Sequence, residues 1–338
     1  MYLKVRYTSV APIEIDKNGF LQIGADYKEK PCPAEADLIQ FVSDADVAII
    51  RSEPCTGRVI RAMQKCRLIM TPKVGYENID ISTATEMGIC VANIRGLSSD
   101  EVSDHAMALL LACSRKILQL DKMVRNGQWQ TFHGKEMQAV WRGISMIRGQ
   151  ILGLIGFGVI ARKIVPKAHA FGLNVVVFDP VINPDLIRET GAEPVEFNEL
   201  LKRSDYISIH VPLTPDTHHM LGMVQFKMMK KTAYLINTAR GSVVDEKALY
   251  TALKEGSIAG AGLDVFETEP VKPDNPLLTL NNVILTGHSA HYSDQVWNEQ
   301  ARRPFEEVKR MLAGEWPLSW VNPDVKRKYL ERWGKPGL

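Results

Sequence analysis

The sequence predicts an α/β protein built from two doubly wound domains, and three observations carry that expectation. Short, continuously apolar strands alternate with amphipathic stretches along most of the chain, the pattern of parallel sheets covered by helices on both faces. One glycine-rich strand-to-helix turn, at 151–161, opens a second such array after the first hundred and fifty or so residues. After 293 the pattern returns to helix, which suggests that the closing segment rejoins the first domain.

Taken in order, the candidate strands of the first array are 2–7, 21–26, 46–50, 67–71 and 89–92, with helical patterns at 34–43, 57–65 and 80–87. A long helix is expected from Ser99 or Asp100 as N-cap to about Arg125. It is apolar nearly all round through Ala106–Leu111, so it is expected to be buried between domains or subunits. The connector 126–150 carries Trp129 and Trp141, read as interface packing rather than substrate contacts. The second array places strands at 151–156, 174–179, 205–210, 233–237, 258–264 and 282–286, close to the count of a doubly wound dinucleotide fold. A helix at 294–312 and an irregular tail at 315–338 complete the chain.

Bulk properties narrow the function classes. A chain of 338 residues with 45% hydrophobic and 24% charged residues suits a globular protein of two ordinary domains. A net charge of +2 offers no case for a nucleic-acid or membrane surface, and no apolar run reaches the roughly 18 residues of a membrane span. Met1 leads straight into the strand-like Leu3–Tyr7 without a signal-peptide pattern. The 5 cysteines, Cys32, Cys55, Cys66, Cys90 and Cys113, stand singly, which argues against a disulfide framework or zinc site. Cys90 and Cys113 sit in apolar runs and read as core. A reduced, cytoplasmic setting is expected.

The turn at 151–161 has a specific chemistry. Gly156 suits the tight turn, Gly158 lets the backbone approach a pyrophosphate, and Ala161 permits close packing of helix on strand. The pyrophosphate is expected on the free N–H groups of the helix N-terminus. Asp179, some twenty residues on, is placed to accept from the adenosine ribose hydroxyls. It would repel a 2′-phosphate, and Pro180–Asn183 offer no arginine to receive one, so NAD rather than NADP is expected. The architecture is then a Rossmann NAD-binding domain at 101–292 inserted into a flavodoxin-like substrate-binding domain made of 1–100 and 293–338, with substrate in the cleft.

Three polar residues follow successive strands of the cofactor domain: Arg240, Glu269 and His288. In a parallel sheet all strand carboxyl ends share one edge, where ligands bind. Hydride transfer to a carbonyl carbon leaves an oxygen that needs a proton, and histidine suits that task near neutral pH. Glu269 on the other ring nitrogen would fix the tautomer and favour imidazolium, while the Arg240 fork grips a carboxylate in a way lysine cannot. Asp264, at its own strand end, is expected to accept from the nicotinamide carboxamide.

The segments 237–246 (NTARGSVVDE), 262–270 (GLDVFETEP), 288–290 (HSA), 74–80 (VGYENID) and 210–214 (HVPLT) resemble the signatures of the D-isomer-specific 2-hydroxyacid dehydrogenases, over nearly the whole chain. The resemblance implies Arg240 as substrate binder, His288 as acid–base and Glu269 as its partner, with the Val74 and Gly75 amides holding the substrate carboxylate. It also implies cofactor contacts at Val159, Ile160, Asp179, Val211, Thr217, Thr238, Ala239 and Asp264, and a homodimer with much of its interface in 100–150. The implied activity is interconversion of a 2-oxo acid and a D-2-hydroxy acid. Within the family the chain is similar to the branch of phosphoglycerate dehydrogenase and C-terminal-binding protein, so an NAD(H)-sensing, corepressor-like binding protein is the alternative. Departures from the family pattern are Gly287 in place of a proline, His291 beside the acid–base, Ala161 for the third glycine, and Thr71 with Lys73 where relatives place an arginine. Arg51 either meets an anionic substrate or pairs with Glu53, and His218 and His219 read as solvated loop residues.

Overall fold

A computed structural model describes residues 2–8, 15–130 and 134–338. The chain forms two compact units, Met1–Leu97 together with Ser293–Leu338, and Ser98–Tyr292. The first segment runs β1 (Lys4–Thr8), α1 (Lys17–Gln22), β2 (Asp26–Lys30), α2 (Glu35–Val42), β3 (Val47–Ile50), α3 (Gly57–Ala62), β4 (Leu68–Met70), α4 (Ile81–Glu86) and β5 (Cys90–Ala92). The second unit holds α5 (Ser99–Ser114), α6 (Ile117–Arg125), α7 (Lys135–Arg142), β6 (Ile151–Ile155), α8 (Val159–Ala170), β7 (Asn174–Phe178), α9 (Pro184–Arg188) and β8 (Glu193–Pro194). It continues with α10 (Phe197–Arg203), β9 (Tyr206–Ile209), α11 (Met223–Met228), β10 (Tyr234–Asn237), α12 (Glu246–Lys254), β11 (Gly260–Leu263) and β12 (Val283–Leu285). Helices α13 (Asp294–Leu312) and α14 (Lys326–Trp333) return to the first unit.

The first unit is a parallel 5-stranded sheet in the order β2-β1-β3-β4-β5, the flavodoxin-like order. Its centre is apolar on both faces, so β3, β4 and β5 are buried throughout. Val308 and Met311 of α13 and Tyr329 of α14 join the core formed by Val5, Tyr7, Ile49 and Met70. Arg6 is the exception in this core. It is 2% exposed and its guanidinium donates to Asp44 at 2.9 Å and to Asp26 at 2.8 Å. Those hydrogen bonds hold the Asp44 carboxyl down at about 2.

The second unit is a parallel 7-stranded sheet, β12-β11-β10-β9-β6-β7-β8. Strand order reverses between β6 and β9, which marks the ligand-binding switch point of such sheets at their carboxyl ends. Helix α5 lies on this unit's own sheet, its Leu109 and Cys113 facing Gly262 of β11, where a Cβ would meet Leu109 at 3.0 Å.

Several expectations need correction. The stretch 21–26 is not a strand: the Asp16 carboxylate caps α1 through the Gly19 N–H at 2.8 Å, Gly24 (φ 74°) ends that turn, and β2 starts only at Asp26. The long helix breaks at Lys116, which takes a left-handed φ of 53°. Its second half, α6, buries no residue at all, so only α5 fits the apolar reading, and the N-cap position of α5 falls one residue early, at Ser98, whose side chain makes no capping hydrogen bond. Trp129 and Trp141 are 58% and 37% exposed, and residues 131–133 of their connector lie outside the described residues. The tail is not irregular, since α14 docks through Tyr329. The short strand β8 extends the sheet beyond the strands expected. All 5 cysteines are free and buried. Among the described residues no helix is long and apolar enough to cross a membrane.

Candidate active site

The carboxyl edge of the second sheet is built from loops that tie each other down. Gly156 follows β6 with φ 89°, and a Cβ there would stand 2.8 Å from the His210 carbonyl oxygen and the Val211 side chain. Glycine is thus required where the β6 and β9 loops touch at the switch point. Gly158 is the N-cap of α8, and no heavy atom lies within 4 Å of where its Cβ would stand. Open space therefore adjoins the N-terminus of this 12-residue helix, as a bound pyrophosphate needs. Ala161 is fully buried against the sheet, Val159 is 52% exposed at the helix start, and Ile160 is half-buried.

Asp179 closes the turn from the β7 side. Its Oδ2 accepts from the Phe157 N–H at 2.7 Å, and Oδ1 accepts from the Val181 and Ile182 N–H groups at 2.9 and 3.0 Å. Oδ1 is saturated, and Oδ2 keeps one lone pair for a hydroxyl donor. Arg162 steadies the turn from behind, its guanidinium 5.3 Å from the Phe157 ring centre. After β9 the Thr217 hydroxyl donates to the Pro212 carbonyl at 2.6 Å and accepts the Thr214 N–H at 2.8 Å, which curls 212–217 into a compact turn beside Val211. After β10 the Thr238 hydroxyl is buried without a hydrogen-bond partner among the described residues, and Ala239 is half-buried next to it. An orphaned hydroxyl and an open helix N-terminus on the same sheet edge fit a dinucleotide.

Arg240, Glu269 and His288 come together on that edge. Gly241 is forced by proximity: a Cβ would stand 1.9 Å from the Phe266 carbonyl carbon, so the Arg240 loop lies directly on the loop leading to Glu269. Arg240 is half-buried and one of its terminal nitrogens donates to the Ala239 carbonyl at 2.7 Å. Glu269 Oε1 accepts the Phe266 N–H at 3.0 Å, and Oε2 meets His288 Nδ1 at 2.6 Å. Burial alone pushes the Glu269 carboxyl up. The hydrogen bonds from His288 and Phe266, with the charges of His288 and Arg240, outweigh it and hold the group below its ordinary value. With Nδ1 facing Glu269, Nε2 is the ring nitrogen left for chemistry. His288 has a left-handed φ of 51°, a strained state for a residue with a Cβ that persists only when the surroundings enforce it. The His291 ring stands edge-on to His288, centres 5.7 Å apart, and no atom lies within 4 Å of a Cβ placed on Gly287.

Asp264 does not lie open to a ligand as expected. It is 1% exposed, and its carboxylate accepts from Thr286 Oγ1, Ser289 N and Ala290 N at 2.5, 2.9 and 2.9 Å. Sequence reasoning missed this, along with Thr286, Phe266 and Ser289, because the partners are main-chain groups or hydroxyls with no pattern of their own. His219 is an exposed loop residue, as expected, and it makes contacts of its own. Its N–H donates to the Ser242 carbonyl at 2.9 Å, its Nε2 contacts the Glu267 carboxylate, and its φ is 52°.

In the first unit, Val74 and Gly75 follow β4 in a short loop pinned by Asn93, whose Nδ2 donates to the Val74 carbonyl at 2.6 Å. Val74 is 43% exposed. Neither the Val74 nor the Gly75 N–H donates to a protein acceptor among the described residues. Thr71 is fully buried and Lys73 half-buried beside that loop. The surface pairing of Arg51 with Glu53 does not form among the described residues. Glu53 accepts instead from the Thr8 hydroxyl at 2.8 Å, and one buried guanidinium nitrogen of Arg51 has no hydrogen-bond partner among the described residues. A cavity of about 430 Å³ in the second unit, lined by Cys113, Lys116, Tyr206 and Tyr234, opens at the opposite, amino edge of the sheet and holds none of these groups.

Comparison with known proteins agrees with this geometry. Residues 107–290 match the family described as D-isomer specific 2-hydroxyacid dehydrogenase, NAD binding domain. The chain is 40% identical to a glyoxylate reductase of Korarchaeum cryptofilum over 88% of this chain and 89% of that protein. It is 42% identical to a D-3-phosphoglycerate dehydrogenase of Methanocaldococcus jannaschii over 87% of this chain and 55% of that protein. Its fold is similar to D-lactate dehydrogenase from Aquifex aeolicus, solved with NAD and lactic acid, with a TM-score of 0.81 and 29% identity over 94% of this chain and 99% of the other. The protein is therefore an NAD-dependent oxidoreductase. It belongs to the D-isomer specific 2-hydroxyacid dehydrogenase family.

Proposed function

We propose that the protein reduces a small 2-oxo acid to the D-2-hydroxy acid with NADH, and that glyoxylate is a substrate. The observation that carries the acid–base assignment is the 2.6 Å contact of Glu269 with His288 Nδ1, on the same edge as the glycine turn. Several relatives over most of this chain are named glyoxylate reductase, which supports the substrate.

Bound NADH supplies a hydride to the carbonyl carbon. The remaining chemistry belongs to the chain. Arg240 takes the substrate carboxylate and leans on the adjacent carbonyl oxygen. His288 gives its Nε2 proton to the oxygen as charge develops there, while Glu269 keeps hold of Nδ1–H and stabilises the imidazolium before transfer. With NAD bound, the free lone pair of Asp179 Oδ2 would take a ribose hydroxyl, and Val211, Thr217, Thr238 and Ala239 would help hold the cofactor. We further propose a cytoplasmic homodimer; the dimer is supported by six exposed apolar side chains among the described residues of 117–146, Ile117, Leu118, Val124, Trp129, Trp141 and Met146.

The test is NADH oxidation against glyoxylate, hydroxypyruvate, pyruvate, phosphohydroxypyruvate and phenylglyoxylate, with chiral analysis of every product that has a stereocentre. Turnover of glyoxylate and D products support the reading. Negligible turnover across the panel with tight NADH binding favours the corepressor-like alternative instead.

A further inference from the structure

The strained conformation of His288 has an identifiable cause. Three consecutive backbone N–H groups, of His288, Ser289 and Ala290, all converge on Asp264: the first on its carbonyl at 2.6 Å, the others on its two carboxylate oxygens at 2.9 Å each. Gathering three successive amides onto one residue bends the chain into the left-handed turn at His288. Asp264 in turn needs its own orientation fixed, and a third donor does that, the Thr286 hydroxyl at 2.5 Å from Oδ1.

Behind Thr286 stands His105 of α5. Its Nε2 lies 2.9 Å from Thr286 Oγ1 and 3.6 Å from Asp264 Oδ1. The donor inventory settles the direction of each bond. Both Asp264 oxygens already accept backbone N–H groups, so the carboxylate is the acceptor from Thr286. A threonine hydroxyl has one hydrogen, and that hydrogen is spent. His105 Nε2 must therefore carry a proton and donate to Thr286.

We propose that His105 is a positioning residue for His288, acting through Thr286 and Asp264 and touching neither substrate nor cofactor. As the Nε2–H tautomer it fixes the Thr286 rotor, which fixes the Asp264 carboxylate, which holds His288 at the angle that presents Nε2. The brace ties the acid–base loop to a long helix packed on the same sheet, a rigid support for a group whose misplacement by an ångström costs about 100-fold in rate. The proposal rests on the assignment of His288 as acid–base.

The test uses the full-length protein with His105→Leu, His105→Gln, Thr286→Val and the double variant, beside His288→Asn. His105→Leu is expected to lower kcat about 100-fold with the Kd for NADH and the KM for glyoxylate little changed. Gln, which offers an N–H at similar reach, restores most of kcat. Thr286→Val acts like His105→Leu, and the double variant falls no further than either, because they share one path. The His288 Cε1–H resonance shifts in His105→Leu and returns in His105→Gln. A folded His105→Leu with unchanged kcat and an unmoved His288 resonance overturns the proposal, as do independent, multiplying losses in the double variant. Should His105→Leu fail to fold, Thr286→Val decides by the same readings. Full activity of His288→Asn sinks the acid–base assignment instead, and the resonance shift then still tests the brace.

Discussion

Glu269→Gln isolates the charge of the Glu269–His288 pair while leaving its shape almost intact. The carboxylate sits 2.6 Å from His288 Nδ1, which puts the centres of the two charges roughly 4 Å apart. At an effective dielectric of about 20, unit charges at that distance attract by about 4 kcal/mol. The side chains are 43% and 35% exposed, so solvent screening reduces the useful part to about 1–2 kcal/mol. That is roughly 5- to 30-fold in rate. An amide can also turn its NH2 toward the ring and select the wrong tautomer, which deepens the loss towards 100-fold. Steady-state reduction of glyoxylate, followed by NADH absorbance across pH, is the assay. The sign of the pH effect is fixed by the geometry. Glu269 is held below its ordinary value, so in the natural protein the pair stays charged as pH falls through the usual carboxylate range. The Gln variant has no carboxylate to protonate, so the acid loss of activity that belongs to Glu269 disappears from its profile. A variant with undiminished kcat and an unmoved acid limb would refute the pair as the proton-handling unit.

Three further outcomes follow from the same geometry. His288→Asn is expected to lower kcat by about 100- to 10,000-fold, the range of general acid catalysis, while the Kd for NADH by fluorescence stays near that of the natural protein. Arg240→Lys keeps the charge and loses the fork, so KM for the acid rises and kcat falls together, and unchanged constants would mean the carboxylate is held elsewhere. Arg6→Met removes the shared partner of Asp26 and Asp44. Because both carboxylates are more than a third exposed, the cost is about 2 kcal/mol rather than the 3–5 of a fully buried pair. Asp44 is held down by Arg6, so the stability it adds is present above 3.8 and fades towards about 2. The Tm gap between variant and natural protein therefore narrows over that span of acid pH.

What the sequence disclosed was whatever repeats locally. The apolar runs at 46–50, 67–71 and 89–92 became β3, β4 and β5 within a residue or two, and 294–312 matched α13, because buried parallel strands and amphipathic helices are written in periodicity. Arg240, Glu269 and His288 were legible because each follows a strand and the carboxyl ends of a parallel sheet share an edge. Errors fell where a single local contact overrides the pattern. Asp16 turns an apolar stretch into helix α1 through one capping bond, and Lys116 breaks a helix that composition would continue.

Asp264 shows the deeper limit. Its place at a strand end was readable, but whether its carboxylate faces a ligand or the backbone depends on Ser289, Ala290 and Thr286, more than twenty residues away, and on their main-chain atoms. Backbone amides are the same in every residue, so no side-chain pattern announces them. His105 had a faint signal, as an imidazole in a helix whose buried residues are mostly apolar, yet its partner Thr286 lies just past β12, far along the chain. The acid–base group itself is conspicuous because chemistry limits which side chain can carry a proton at neutral pH. The groups that aim it need only supply a donor or an acceptor at the right point, and many residue types can do that. Catalytic identity is therefore written in the sequence, whereas catalytic aim emerges only when loops from β11 and β12 are folded against α5.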